Sequence, residues 1–273
     1  MFRCMNPGAL YIRRPWEECL PLCSDHGFDG IDVPVDVEKP VSWYQDRLSA
    51  HGLLAGGTAL PVRVAEDRRL YEEDLGGLDR FAQHAAAIGV TRFTKWLLPY
   101  SDTLPQADNF RLHADRLGRA AAILAEHGCR LGLEFLGPKT VRDGHQYSFI
   151  YTMHGMLDLC TAVGSNTGLL LDSWHWHTSL GTVQDLLTLT PDRLVYVHVN
   201  DAPADVGIDR QMDEDRRLPG DTGVIDLPRF MQALRDLGYD GPVTPEPLWD
   251  ELADLPAEES ARQAGVALQR VWP

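Results

Sequence analysis

Leu131-Gly-Leu-Glu134, Leu169-Leu-Leu-Asp172, Val195-Tyr-Val-His198 and Val243-Thr-Pro-Glu246 share one form: a short, largely apolar run that ends in an acid or an imidazole. His175 stands just beyond the second of them. In chain order the end groups are Glu, Asp, His, Glu. Apolar runs tipped with a polar group are the strand-end pattern of a (β/α)8 barrel, whose active site is assembled from the C-terminal ends of several strands. Two or three carboxylates with one imidazole suit a divalent ion of intermediate hardness, such as Mn²⁺, Co²⁺ or Mg²⁺. Each end group also has a plainer reading. Asp172 could cap the segment that follows it, and Glu246 could be solvated before Pro247. The joint pattern argues against four separate accidents. Each group follows a run that should be buried, a buried carboxylate without a partner is costly, and a shared cation relieves all of them together.

Working outward, β-like runs near residues 2–5, 28–33, 53–59, 90–96, 129–135, 168–172, 193–199 and 241–246 alternate with helical stretches. Leu75 to Ile88 and Phe110 to His127 are the clearest helices; in the second, Leu112, Leu117, Ala121 and Leu124 recur close to helical spacing. Gly27, Gly52, Gly89, Gly128 and Gly238 fall where a helix would end and a strand begin. Repeated helix–Gly–strand units predict a parallel sheet, and eight strands predict closure into a barrel, an α/β fold with residues 1–273 as one domain. The alternative is a doubly wound open sheet. No G-x-G-x-x-G or G-x-x-x-x-G-K-[ST] follows any of the strands, which weakens it. Two long loops, about 136–151 and 201–225, lie on the side where the end groups gather, and loops of that length are commonly functional.

Composition narrows the class. A chain of 273 residues is close to the roughly 250 that such a barrel needs. Its 25 Lys and Arg against 40 Asp and Glu give a net charge of −15, which argues against a nucleic-acid surface. No run is apolar enough to span a membrane, and Met1-Phe-Arg-Cys-Met-Asn-Pro lacks the apolar stretch of a signal peptide. Five cysteines without C-x-x-C spacing fit reduced thiols, so a cytoplasmic location is expected.

Four motifs carry a resemblance. They are Gly132-Leu-Glu134; Asp172-Ser-Trp-His175, of D-x-x-H form; His198-Val-Asn-Asp201, of H-x-x-D form; and Arg216-Arg-Leu-Pro-Gly220 followed by Gly223-Val-Ile-Asp226. On these the chain resembles the xylose-isomerase-like TIM barrels, the sugar phosphate isomerase/epimerase superfamily. It looks most like the inosose isomerase and ketose 3-epimerase members. The resemblance implies that Glu134, Asp172, His198 and Glu246 hold one divalent metal ion, Mn²⁺ foremost, with Co²⁺, Mg²⁺ or Zn²⁺ as alternatives. It implies that Glu134 and Glu246 are also the catalytic proton-transfer pair, and that His175 and Arg216 hold substrate oxygens. The physical logic runs alongside. A metal bound to a carbonyl or hydroxyl oxygen stabilises an enediolate, one carboxylate takes the α-proton, and a second returns it. Return on the same face moves the carbonyl, return on the opposite face epimerises, and loss of a β-hydroxyl dehydrates.

Aromatic residues crowd the same regions: Trp96, Phe135, Phe149, Tyr151, Trp174, Trp176 and Trp249. Trp96 and Trp174 are candidate walls for the flat C–H face of a sugar, though packing between barrel and helices is the plainer role for any one of them. Lys95 ends the fourth strand and could orient a substrate hydroxyl or carboxylate; Lys139 and His145 could close over the site. The expected function is a metal-dependent isomerase or epimerase of a free sugar, keto sugar or inosose, in carbohydrate or inositol metabolism. A lyase on the same site, acting on a cyclitol, keto acid or C-glycoside, is the alternative. A catalytically silent binding or partner subunit is the third reading. The partner is a small molecule rather than nucleic acid or membrane, and homo-oligomerisation stays open.

Overall fold

The fold is seen in a computed structural model that describes residues 1–273. Its staves are β1 (Phe2–Met5), β2 (Gly30–Ile31), β3 (Leu54–Ala55 with Gly57–Ala59), β4 (Arg92–Leu97), β5 (Arg130–Phe135), β6 (Thr167–Asp172), β7 (Leu194–Val199) and β8 (Pro242–Pro245). Each pairs in parallel with its chain neighbours, and β8 pairs with β1. The ring closes at β3, whose first half hydrogen-bonds to β2 and whose second half hydrogen-bonds to β4. Closure removes the sheet edges and excludes the open-sheet alternative.

The outer layer follows from amphipathic spacing. The helix Arg68–Ile88 buries Tyr71, Leu75, Leu78, Ala82, Ala85 and Ile88, a stripe at three- and four-residue steps. Asp67 caps its start by accepting the Leu70 N–H, and Gly89, at φ 107°, ends it in a left-handed turn that a side chain would resist. Both long helices begin earlier than the apolar spacing suggests, at Arg68 and Gln106, because their first residues, Arg68, Arg69, Gln106 and Ala107, are exposed. The loop at 136–151 is more ordered than its sequence suggests. Tyr147–Ser148 pairs antiparallel with Tyr100–Ser101, and Lys139–Arg142 forms one helical turn. The five cysteines are buried and unpaired.

Side chains alternate across each strand. On β5, Leu131, Leu133 and Phe135 are in the apolar core, and Glu134 takes the opposite side. The register of β7 against β6 shifts between Leu194 and Tyr196, and beyond the shift His198 pairs with Asp172. Tyr196 crosses the lumen. Its hydroxyl lies 2.7 Å from Asp32 Oδ1 beyond β2 and 2.6 Å from Thr244 Oγ1 on β8. This crossbar dictates small residues in β3. A Cβ on Gly56 would lie 2.5 Å from both Asp32 Oδ1 and Cys4 Sγ, and one on Gly57 would lie 2.7 Å from the Tyr196 ring.

Gly56→Ala is therefore expected to lower stability by about 1–3 kcal/mol through overpacking. Gly76 sits exposed within Arg68–Ile88, and its Cβ would meet nothing within 4 Å. Gly76→Ala should raise stability by about 0.5–1 kcal/mol. Urea unfolding of the two variants beside the parent checks both signs.

Candidate active site and metal centre

The four strand-end groups converge. One ligand atom from each of Glu134, Asp172, His198 and Glu246 can be chosen so that all lie within 4.8 Å of one another. His198 Nδ1 is 3.1 Å from Glu246 Oε2, 3.4 Å from Glu134 Oε1 and 3.9 Å from Asp172 Oδ2. Glu134, Asp172 and His198 are buried, and the Glu246 side chain is 18% exposed.

Asp172 does both things its sequence allows. Oδ1 caps the helix Ser173–Thr178 by accepting the N–H groups of Trp174 (2.6 Å) and His175 (3.0 Å). Oδ2 faces the cluster, where Asn200 Nδ2 (3.0 Å) and Arg216 Nη1 (3.1 Å) donate to it. Arg216 is the cation of the site. It is 1% exposed, and its Nη1 also donates to Glu246 Oε2 at 3.0 Å. Its Nη2 lies 3.1 Å from His175 Nε2 and 2.8 Å from Asp213 Oδ1. Asp213, three residues before Arg216, is thus its partner inside the site. The buried Trp174 ring lies under the guanidinium, 4.8 Å from centroid to Cζ.

Electrostatics divide the groups. Burial pushes the Glu134 carboxyl up to about 7. Burial would raise Glu246 as well, but the facing charges of His198 and Arg216 hold it at about 2. Burial and the Arg216 charge press His175 down to about 3. For Arg216 burial works the other way, and Asp172, Asp213 and Glu246 overcome it, so its charge is held more firmly than usual.

The donor set fits a divalent cation. Glu134 Oε1 and His198 Nδ1 are buried and have no hydrogen-bond partner in the protein, an arrangement that a shared ion would resolve. Three carboxylates, those of Glu134, Asp172 and Glu246, gather around His198, and Arg216 donates to only two of them, Asp172 and Glu246.

The sequence matches the family described as xylose isomerase-like TIM barrel over residues 20–270. The chain belongs to that family. Within it, the chain is 25% identical over 271 residues to the inosose isomerase of Bacillus velezensis (strain DSM 23117 / BGSC 10A6 / LMG 26770 / FZB42), covering 96% of this chain and 93% of that protein. Among solved structures it is similar to a xylose isomerase domain protein from Alicyclobacillus acidocaldarius subsp. acidocaldarius, with a TM-score of 0.89 and 28% identity over 99% of this chain and 98% of that one. It also shares its fold with the IOLI protein solved with a bound zinc atom, at a TM-score of 0.83 and 23% identity over 99% and 98% of the two chains.

The other expected site residues divide. Arg216 bonds directly to Asp172 and Glu246, and the His175 imidazole joins the quartet through Arg216, its other nitrogen accepting the Gly137 N–H. Trp96 is in register with Glu134, on the same side of the sheet, and stands 55% exposed at the rim. Lys95 is in register with Leu133, so it faces away from the quartet. It lines a separate cavity of about 390 Å³ with His113, outside the barrel lumen. Trp174 is fully buried, so it braces Arg216 and offers no open wall. Phe135, Phe149 and Trp176 belong to the core. Lys139 pairs with Asp209, and His145 stacks on Tyr100 while pairing with Asp102, so neither covers the site.

Three residues that the sequence reading gave no role hold the site in shape. Asn200 ties Asp172 to the Glu246 carbonyl. Asp213 fixes Arg216 through its own carbonyl and carboxylate. Asp201 accepts four backbone N–H groups, those of Ala202, Thr222, Gly223 and Ile225, and folds the 201–225 loop back so that Arg216 reaches inward. Asp201 and Asn200 lie inside the H-x-x-D motif, which was their available signal.

Asn200 orients the Asp172 carboxylate, so if Asp172 is a metal ligand Asn200→Ala should weaken metal affinity about 10–100-fold while the fold persists. Competition with a fluorescent chelator measures it, and unchanged affinity would make Asn200 a packing residue only.

Proposed function

We propose that this chain is a divalent-metal-dependent isomerase or epimerase of a sugar or cyclitol, an inosose foremost, acting by proton transfer beside a carbonyl. The observation that carries the reading is the pairing of Glu134 and Glu246 within one buried quartet, with the Arg216 guanidinium on Glu246. The similarity to an inosose isomerase over 96% of the chain supports the substrate class.

Glu134, Asp172, His198 and Glu246 would hold the cation, Mn²⁺ foremost. Once bound, such an ion supplies Lewis-acid polarisation of the substrate's carbonyl or hydroxyl oxygens. The rest falls to the protein. Glu246 takes the proton from the carbon beside the carbonyl. Arg216, whose N–H groups are engaged by Asp172, Glu246, His175 and Asp213, places a fixed positive charge beside the oxygen that gains negative charge and donates to it in exchange for its bond to Glu246, with His175 next to it. Glu134 stands across the quartet to return a proton to carbon. If it returns to the former carbonyl carbon, and the hydroxyl proton passes between the two oxygens, the carbonyl moves by one position with no change in composition. If it returns to the original carbon from the other face, that carbon is inverted. Nearly complete burial keeps water from the intermediate.

The test is deuterium wash-in from solvent into an inosose and into free ketoses, using Mn²⁺-loaded protein. Exchange at the carbon beside the carbonyl without loss of water is the expected result. An α,β-unsaturated product would instead mark a lyase, and an absence of both would mark a binding protein. Glu246→Gln keeps an oxygen ligand but removes the base, so exchange should fall about 10²–10⁴-fold while part of the metal affinity survives. Near-normal exchange in that variant would assign the base elsewhere.

Arg216→Ala should lower kcat/KM, and kcat with it, because its fixed charge acts most strongly on the negative charge that develops in the transition state. Metal content should stay near one ion per chain. With Arg216 gone, the ion alone offsets the carboxylates, so the melting temperature should become more sensitive to chelator. Wild-type kinetics would reduce Arg216 to a structural ion pair.

A further inference from the structure

The quartet draws on β5–β8 alone. On the same face of the barrel, the ends of β1–β4 frame a cavity of about 410 Å³ that none of the residues assigned so far uses. That volume lies within the roughly 300–1,000 Å³ typical of small-molecule sites. Its polar lining includes Asn6, Asp32, Thr58 and Thr94, and its apolar lining includes Trp16 and Val33.

Asp32 is the charged group of this wall, and it is held rigidly. Oδ1 accepts hydrogen bonds from the Gly57 N–H (2.7 Å) and the Tyr196 hydroxyl (2.7 Å), with Cys4 Sγ at 3.6 Å. Oδ2 accepts none from the protein. The residue's backbone is also pinned, since Trp16 Nε1 donates to its carbonyl at 2.8 Å. Tyr196 links this wall to the quartet, for its ring stands edge-on to the His198 imidazole at a centroid distance of 5.3 Å. The cavity and the quartet thus share a floor.

We propose that Asp32 is a substrate-positioning residue, and that the β1–β4 cavity takes the unreacting part of a neutral polyol whose carbonyl end lies at the quartet. The free Oδ2 accepts a substrate hydroxyl, and the apolar wall covers a C–H face. An anionic group is disfavoured there. The Asp32 carboxylate repels it, and the cation at the rim, Arg14, is already paired with both carboxylate oxygens of Glu258 at 3.1 and 3.2 Å. The inference rests on the reading of the quartet as the site of a sugar or cyclitol isomerase, and it adds which half of the mouth selects the substrate and that the substrate carries no phosphate.

The test uses myo-inositol, a cyclitol that lacks a carbonyl and so cannot react, titrated calorimetrically into Mn²⁺-loaded protein. Asp32→Ala is expected to weaken binding about tenfold or more, the scale of one lost hydrogen bond to a charged group. Asp32→Asn retains an oxygen for Gly57 and Tyr196 but alters the free position, and should weaken binding less. Ala59, exposed on the cavity wall, offers a route that leaves Asp32 intact: Ala59→Trp fills the space and should abolish binding even if Asp32→Ala fails to fold. On an inosose substrate Asp32→Asn should raise KM more than it lowers kcat, a split that a merely structural role would not produce. Equal binding by the parent, Asp32→Asn and Ala59→Trp overturns the proposal, as does an absence of binding by the parent. Deuterium exchange separates the two readings. Binding that depends on Asp32 without exchange keeps the cavity assignment and sinks the isomerase, whereas exchange with binding indifferent to Asp32 does the reverse.

Discussion

Three carboxylates and an imidazole share a space less than 5 Å across, beneath a surface that leaves them almost dry. Two like charges about 4 Å apart repel by about 4 kcal/mol at an effective dielectric constant of about 20. Three such groups left alone would consume much of the 5–15 kcal/mol that holds a typical domain together. The surrounding structure answers this constraint. Asp172 gives one oxygen to a helix cap and the other to Asn200 and Arg216. The 201–225 loop exists in its folded-back form because Asp201 gathers four backbone N–H groups, and that form carries Arg216 into the barrel mouth. Arg216 in turn rests on Trp174 and is fastened by Asp213.

The same constraint shapes the floor. Asp32, Tyr196 and Thr244 fill the lumen below His198 with a hydrogen-bonded bar, where an apolar barrel would place branched side chains. Glycine at 56 and 57 follows from the room that bar requires. Rigidity beneath the imidazole matters for chemistry, because a proton-transfer site loses rate when its groups drift by fractions of an ångström.

The parts of the molecule legible in its sequence are those decided locally. An apolar run of strand length with a polar end marks a stave and the group at its tip in one stroke, so the convergence of Glu134, Asp172, His198 and Glu246 follows from the strand ends. The sidedness of Lys95 was not local. Alternation groups Thr94 with Trp96 and Phe93 with Lys95, but which pair faces the lumen is set by register with β5. The register shift before Tyr196 left no mark in Leu194-Val-Tyr-Val, a run that reads as an ordinary strand. Asp201 acts across a long loop whose path the chain alone does not specify, whereas Asp213 is three residues from Arg216 and within local reach of it. Asp32 is different. Gly30-Ile-Asp32 has the same apolar-then-acid form as the four runs that lead to the quartet, so the signal stands at the end of β2.

A barrel of this family can host many reactions, so the choice among them rests on the charges of this particular mouth. With a divalent cation in place and His198 a neutral ligand, the three inner carboxylates and Arg216 would sum to no formal charge, and Asp213 on Arg216 adds one negative charge at the edge. Such a site would admit a neutral polyol, whereas a phosphate would meet Asp32 on one side and no excess positive charge on the other. In the proposed reaction, negative charge arises only when a proton leaves carbon, beside a guanidinium already fixed in position by Asp213 and Trp174. A charge that need not move stabilises a charged intermediate more than a neutral substrate, which is the condition for raising rate and not affinity alone. The absence of excess positive charge at rest and a fixed cation beside the point of charge development therefore describe one design, and both depend on Arg216 being buried where it is.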